Sequence, residues 1–325
     1  MEAMIEVRDL HRHFIARRGT RRWLRRAAVV VEAVDGLTFQ LPAGSAVGYL
    51  GANGAGKSTT IKMLCGILVP TSGTVRTCGL DPVRDRKRLA RQIGVVFGQR
   101  SQLWWDLPLR ESFRALGGIH RLTPEATARR TDELIDRLDL GAFVDTAVRQ
   151  LSLGQRIRGE VAVSLLHRPR LLILDEPTIG LDVPSKERLR SFLNEQRQQH
   201  GTTLLLATHD MGDVRRLTER IIVVDHGRLS YDGTLSGLVD VVGAERVMVI
   251  DLVEPARPLD DISHTRLVRV EADGLRQRLS FTPGETTAGR VLEAIGHCAQ
   301  VRDLMIEEPD IEDVISRLYQ RSTHS

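Results

Sequence analysis

Apolar positions along the first 240 residues gather into short continuous runs separated by stretches of helical spacing. The runs at 5–7, 28–34, 37–41, 46–50 and 93–97 predict strands, as do 171–174, 203–207 and 221–224. Apolar runs that do not alternate mark strands buried on both faces. Between them, 58–68, 110–119, 124–138, 153–166 and 186–200 carry helical patterns. Thr123 ahead of Pro124 reads as an N-cap followed by proline at the first helical position. Apolar strands alternating with helices predict an α/β fold with a mainly parallel sheet covered on both faces.

After about residue 240 the pattern changes. Residues 247–252, 266–270 and 275–281 read as half-buried strands, the last two joined through Asp273-Gly274, a hairpin signal. Helices at 288–295 and 311–319 flank one more strand at 301–306. The expected organisation is a first domain over 1–240, helical over about 100–165, and a small α+β accessory domain over 241–325. Near the N-terminus the strand pattern is interrupted by Arg17, Arg18, Arg21, Arg22, Arg25 and Arg26 around Trp23. This segment reads either as a solvated surface loop or as a contact for anionic lipid headgroups.

Composition narrows the class further. A hydrophobic share of 42% and a charged share of 27% are those of an ordinary globular protein. The net charge of +4 implies no wholesale coating of nucleic acid, and no nucleic-acid partner is expected. Cys65, Cys78 and Cys298 are odd in number and widely spaced, which argues against a disulfide framework or a zinc site and fits a reducing compartment. No run approaches eighteen apolar residues and Glu2, Glu6 and Asp9 stand where a signal peptide would be basic, so neither a membrane span nor a leader is expected.

Two motifs carry phosphate chemistry. Gly51-Ala52-Asn53-Gly54-Ala55-Gly56-Lys57-Ser58, followed by Thr59, matches G-x-x-x-x-G-K-[ST] between an apolar strand and a helical pattern. The glycines let successive backbone N–H groups turn toward phosphate oxygens, and the helix beginning near Lys57 adds its positive dipole end. Lys57 is the candidate for the β- and γ-phosphates of ATP, and Ser58 for Mg²⁺. The second motif is the apolar run 171–174 ending on Asp175 and Glu176. Asp175 is the candidate Mg²⁺ ligand and Glu176 the residue that polarises an attacking water. Kinases, GTPases and motor ATPases share both motifs.

Leu151-Ser152-Leu153-Gly154-Gln155-Arg156, about twenty residues before the acidic strand end, resembles the LSGGQ signature of ATP-binding cassette proteins. The rest of that family's pattern stands in order: Gln99 looks like the Q-loop glutamine, Gly180-Leu181-Asp182 like the D-loop, and His209 like the switch histidine. The resemblance covers about residues 4–237. It implies a P-loop NTPase of ABC type, with an antiparallel N-terminal β part and a helical signature subdomain. It further implies that two such domains sandwich two ATP molecules, each between the cradle of one and the signature of the other. Ser152, Gly154, Gln155 and Asp182 would then meet the nucleotide of a second subunit, and Gln99 would sense Mg²⁺ and report to a permease. An aromatic residue near the first strand should stack on adenine; Phe14 is the first choice and Trp23 the alternative. Leu153 departs from the family pattern at the first glycine of the signature pair, and Ile179 departs where a small residue usually precedes the D-loop.

The string from Val95 to Pro108, with Trp104-Trp105, is similar to bacterial exporter ATPases of the daunorubicin and viologen resistance type. That similarity implies a separately encoded transmembrane permease as partner, a second nucleotide-binding subunit of the same or another kind, and a peripheral place on the cytoplasmic face of the membrane. Trp104 and Trp105 read either as core or as lining of the groove that accepts a permease helix. The alternatives are a soluble ABC ATPase outside transport and a catalytically inactive regulatory cassette. Intact Lys57, Asp175, Glu176 and His209 argue against the second.

Overall fold

A computed structural model of the protein describes residues 3–18, 27–98 and 101–307, with Val314, Ile315 and Leu318 beyond them. The chain divides into two compact units, Met1–Asp232 and Gly233–Ser325.

In the first unit, β1 (Ala3–Arg18) and β2 (Ala27–Pro42) pair antiparallel along their whole length, and β3 is Ala46–Gly51. Helix α1 (Lys57–Leu64) precedes β4 (Ser72–Thr77), α2 (Arg86–Leu89) and β5 (Ile93–Val96). Helices α3 (Leu109–Ile119), α4 (Pro124–Arg137) and α5 (Leu153–Ser164) follow, then β6 (Leu171–Asp175), α6 (Val183–His200), β7 (Thr203–Ala207), α7 (Met211–Leu217), β8 (Arg220–Asp225) and β9 (Arg228–Gly233). Two sheets result. One is antiparallel, in the order β2-β1-β4, and the other has the order β5-β6-β7-β3-β8-β9. In the latter, β3, β5, β6, β7 and β8 are parallel wherever they pair, as expected for strands built on continuous apolar runs. All six residues of β3 and all five of β7 are buried. The larger sheet separates two cores. One, with Ile61, Met63 and Leu64 of α1, packs toward the antiparallel sheet; the other, with Phe113, Leu134 and Val161, packs under α3, α4 and α5.

The helical expectations hold in type. Thr123 caps α4 through its hydroxyl, with Pro124 at the first position. The stretches 28–34 and 37–41 prove to be one strand, and β4 falls where no strand was expected, because Ser72, Gly73 and Thr74 are exposed and break the apolar pattern.

The second unit opens with α8 (Leu235–Val242), capped by Thr234, although the sequence texture changes only after 240. Strands β10 (Arg246–Leu252), β11 (Thr265–Glu271), β12 (Arg276–Phe281) and β13 (Val301–Glu307) form an antiparallel sheet in the order β11-β12-β10-β13. Helix α9 (Ala288–Gly296) inserts Val291 and Ile295 into the core built on Met248, Ile250, Leu279 and Phe281. The turn at Asp273-Gly274 joins β11 to β12, with Asp273 itself at φ 52°. The expected helix over 311–319 lies outside the described residues apart from three positions.

One packing feature generates a stability prediction. His120, just after α3, and His167, just after α5, stack with ring centroids 3.8 Å apart and planes 5° from parallel. The Nε2 of His167 lies 3.0 Å from the carbonyl of Ile93, and neither Nδ1 has a partner. Burial, with His120 beside it, pushes His167 down to about 4, and burial with the nearby Arg91 lowers His120 too. The folded state therefore favours neutral rings and the unfolded state takes up the protons. This pair should add no pH dependence above pH ~6.5 and lower stability below it by about 1.4 kcal/mol per pH unit for each ring the fold keeps neutral, His167 doing so down to about 4. Thermal unfolding at pH 7.5 and 5 measures this, and a His167→Gln variant should flatten the dependence.

Candidate active site

The cradle is built at the carboxyl edge of the parallel strands. β3 ends on Gly51, the loop turns through Gly54 and Gly56 at positive φ, and α1 begins at Lys57. Gly56, at φ 99°, is the helix N-cap, and a Cβ there would meet the carbonyl oxygen of Ala33 at 2.3 Å. Only glycine therefore lets β2 close so tightly on the loop. The loop is also braced from β8–β9: the N–H of Gly227 donates to Ala55 O (3.1 Å), and Asp35 N–H donates to Gly227 O (2.9 Å). Ala52, Asn53 and Ser58 are exposed, so the cradle's rim is open. The Lys57 ammonium donates to the carbonyls of Gly51 and Ala52, the latter at 3.0 Å. Partial burial lowers its pKa, and the charges of Asp175 and Glu176 pull the other way.

Those carboxylates arrive on β6, one strand removed from β3 across β7. Asp175 ends the strand in register with Ala207, and its carboxylate accepts from the backbone N–H of Gly98. Glu176 leaves the strand at φ 54°, an uncommon conformation for a residue with a side chain. Its N–H donates to Ala207 O (2.8 Å), while its carboxylate accepts from the Thr208 hydroxyl (3.1 Å) and the His209 N–H (2.9 Å). The His209 imidazole stands 3.8 Å from the same carboxylate. Burial raises both acids, opposed by Lys57 at Asp175 and by His209 at Glu176. Behind them Thr178 donates to Asp213 (2.5 Å), which also accepts from Arg190 Nε (2.7 Å), tying the chain after Glu176 to α6 and α7. Nothing local in the sequence pointed to Thr208, Asp213 or Arg190. Thr208 adjoins His209, and the other two only show as charged positions on helices.

The signature lies elsewhere in the unit. Ser152 caps α5 in a capping box: its hydroxyl accepts from Gln155 N–H (3.2 Å), and Gln155 Oε1 accepts from Ser152 N–H (2.9 Å). Gly154 faces the D-loop, where a Cβ would meet Gly180 O at 2.7 Å. Leu153 lies against Gly180, so the two departures from the family pattern, Leu153 and Ile179, fall at one place. Among the described residues, no hydrogen bond or ion pair joins 151–156 to 51–59. Asp182 caps α6 by accepting from Ser185 N–H (2.9 Å).

Other expected residues are placed as follows. Phe14 sits on β1 opposite Val31, two residues from the Ala33 that touches the cradle; it is exposed, with the Arg12 guanidinium 4.6 Å from its ring centre. Gln99 and Trp23 lie outside the described residues. Trp104 and Trp105 are 38% and 50% exposed, which removes the core alternative for them. Among the described residues no cluster of three or more His, Cys, Asp or Glu could hold a metal. The Ser58 hydroxyl and the Asp175 carboxylate are hard oxygen donors of the kind that suits Mg²⁺ shared with phosphates.

A braced glycine cradle on a helix start, paired carboxylates at the end of β6 and a capped signature helix define a P-loop ATPase of cassette type. Residues 34–179 match the family model for the ABC transporter. Over 294 residues the chain is 33% identical to the daunorubicin resistance ATP-binding protein DrrA3 of Streptomyces coeruleorubidus, covering 88% of this chain and 91% of that one. It is 36% identical over 296 residues to the Nod factor export ATP-binding protein I of Neorhizobium galegae, covering 88% and 80%. The bacterial ABC transporter cassette MJ0796, solved as a dimer, superposes with a TM-score of 0.62 at 25% identity over 71% of this chain and 98% of that one. The chain belongs to the ABC transporter family, as an ATP-binding and ATP-hydrolysing subunit. No helix among the described residues is long and apolar enough to cross a membrane.

The contact between Gly154 and Gly180 is testable by itself. Gly154→Ala should push the start of α5 off the D-loop and cost about 1–3 kcal/mol, read as a lowered midpoint of denaturant unfolding.

Proposed function

We propose that this subunit powers export through a separately encoded membrane permease, by closing on a second nucleotide-binding subunit around ATP and opening when the nucleotide is cleaved. The observation that carries the reading is the division of the chemistry. Lys57, Asp175 and Glu176 share one electrostatic environment, while the Ser152 end of α5 makes its bonds with its own cap and the D-loop. A signature remote from its own cradle is suited to a phosphate held by another subunit. In this reading residues 51–59 hold the phosphates, with Lys57 as the main cationic contact. Ser58 and Asp175 hold Mg²⁺, assisted by Gln99, and Mg²⁺ supplies charge neutralisation of the phosphates. Glu176, fixed by Thr208 and the His209 backbone, accepts a proton from the attacking water, and the His209 ring orients that water. Phe14 covers the adenine. Ser152, Gly154 and Gln155, with Asp182 beside them, complete the partner's site.

Export as the direction is supported by what the similar proteins are called, a daunorubicin resistance protein and a Nod factor export protein. The exposed Trp104 and Trp105 offer the permease a large apolar contact. The subunit would thus sit peripherally at the cytoplasmic face of the membrane. Residues 1–240 form the motor in this reading, and 241–325 an accessory domain.

Glu176→Gln keeps the phosphate contacts and removes the base, so hydrolysis should fall by about 10²- to 10⁴-fold while ATP drives a stable dimer. Size-exclusion chromatography with and without ATP checks this, and a monomer in both would count against the sandwich. Lys57→Ala should weaken ATP binding about tenfold or more by calorimetry. Ser152→Arg should bind ATP nearly normally yet neither dimerise nor hydrolyse it. Loss of ATP binding by the Ser152→Arg monomer would place the signature in its own site and overturn the arrangement.

A further inference from the structure

Past His11, β1 keeps β2 on one side but no longer has β4 on the other, since its pairing with β4 ends at His11 opposite Ser72. Thr71 closes that edge: its N–H donates to His11 O (2.8 Å), and its hydroxyl accepts from the His13 N–H (3.3 Å). Arg12 lies between these ties. Its guanidinium stands over the Phe14 ring, 4.6 Å from the ring centre, and donates from Nη1 to Val69 O (3.1 Å) in the loop after α1. Its Nε is buried without a partner, and among the described residues no carboxylate pairs with the group. Phe14 itself and Val31 opposite it are exposed. On β2 the register slips beside Arg12: Val34 faces Arg12 and Glu32 faces His13, so Ala33 is the extra residue of a bulge. Ala33 is also the residue whose carbonyl closes on Gly56 of the cradle.

A phenyl ring on an exposed strand has several staggered rotamers open to it, and a base that stacks on it must first freeze one. The Arg12 guanidinium, fixed by Val69 O, gives the ring a flat cationic bed on one face. Because no carboxylate among the described residues neutralises it, its charge is left for the ring. A cation behind the ring draws π density away from the free face, which favours an electron-rich, planar purine there. We infer that Arg12 is a positioning residue for the base: anchored on Val69 O, it covers one face of Phe14 and holds the ring so that the other face receives adenine. The order of the stack is guanidinium, phenyl, purine, and Arg12 touches neither base nor phosphate. The bulge at Ala33 keeps this platform in register with the cradle. The inference rests on the reading that Phe14 covers the adenine.

The test uses the full chain, with ADP as the ligand that carries a base and inorganic pyrophosphate as the one that lacks it. By calorimetry, Arg12→Met should weaken ADP about three- to tenfold and pyrophosphate by less than about twofold. In steady-state hydrolysis the KM for ATP should rise to match, while maximal turnover stays within about twofold. Arg12→Lys, which keeps a cation, should recover part of the ADP affinity. Arg12→Gln, which keeps an amide donor for Val69 O without the charge, should not. Arg12→Met added to Phe14→Ala should cost nothing further, because both act through one stack. If Arg12→Met does not fold, Arg12→Lys against Arg12→Gln carries the same comparison. Equal weakening of ADP and pyrophosphate would assign Arg12 to holding the loop after α1 alone and overturn the inference. So would full ADP affinity in Arg12→Gln, or tighter ADP binding in Arg12→Met, which would put the guanidinium in the base's own place. Unchanged ADP affinity in Phe14→Ala would instead remove Phe14 from the base site, and this inference with it.

Discussion

Two adjacent carboxylates held half-buried beside one ammonium set the terms for the first unit. Asp175 and Glu176 are pushed toward protonation by burial and Lys57 toward deprotonation; the carboxylates partly restore Lys57, Lys57 partly restores Asp175, and His209 with Thr208 does so for Glu176. Such a group survives only where donors are fixed around it, because an unpaired buried charge costs several kcal/mol. The parallel sheet supplies that fixity. With β6, β7 and β3 side by side and pointing the same way, their carboxyl ends bring the acids, Thr208 and His209, and the cradle to one edge. The positive φ of Glu176 is part of the same arrangement, since it turns the side chain back toward the end of β7 while its N–H stays paired with Ala207.

The surrounding structure serves that edge. The β2 strand and the β8–β9 turn brace the cradle from behind through Ala33 and Gly227. The buried Asp213, with Thr178 and Arg190, anchors the segment after Glu176 from the opposite side. Neither brace touches phosphate in the proposed reading, yet each limits how far the reacting groups can drift. The signature helix obeys a different logic. Its first turn is satisfied locally by the Ser152–Gln155 capping box, so α5 is a stable, pre-formed helix start whose remaining N–H groups and dipole suit an anion. Leu153, exposed and resting on Gly180, replaces the open backbone of the usual glycine pair with an apolar contact to the D-loop.

The fold class, the cradle, the acidic strand end and the signature were legible in the residues themselves. Each depends on spacing along a single strand–turn–helix unit: glycines at fixed steps before Lys57, four apolar residues before Asp175, Ser152 three positions before Gln155. Such local patterns are set by backbone sterics and hydrogen-bond reach, which act over a few residues. The strand β4, the continuity of β1 and β2 and the start of the second unit at α8 escaped because pairing across the sheet overrode weak local patterns. Only the tertiary structure decided that Thr208 holds Glu176, that Asp213 anchors Thr178, that Leu153 meets Gly180 and that Glu160 meets Ser101. These partners lie 32, 35, 27 and 59 residues apart in the chain. No local propensity joins groups so far apart; they meet because parallel strands with helical crossovers return the chain repeatedly to the same edge of one sheet.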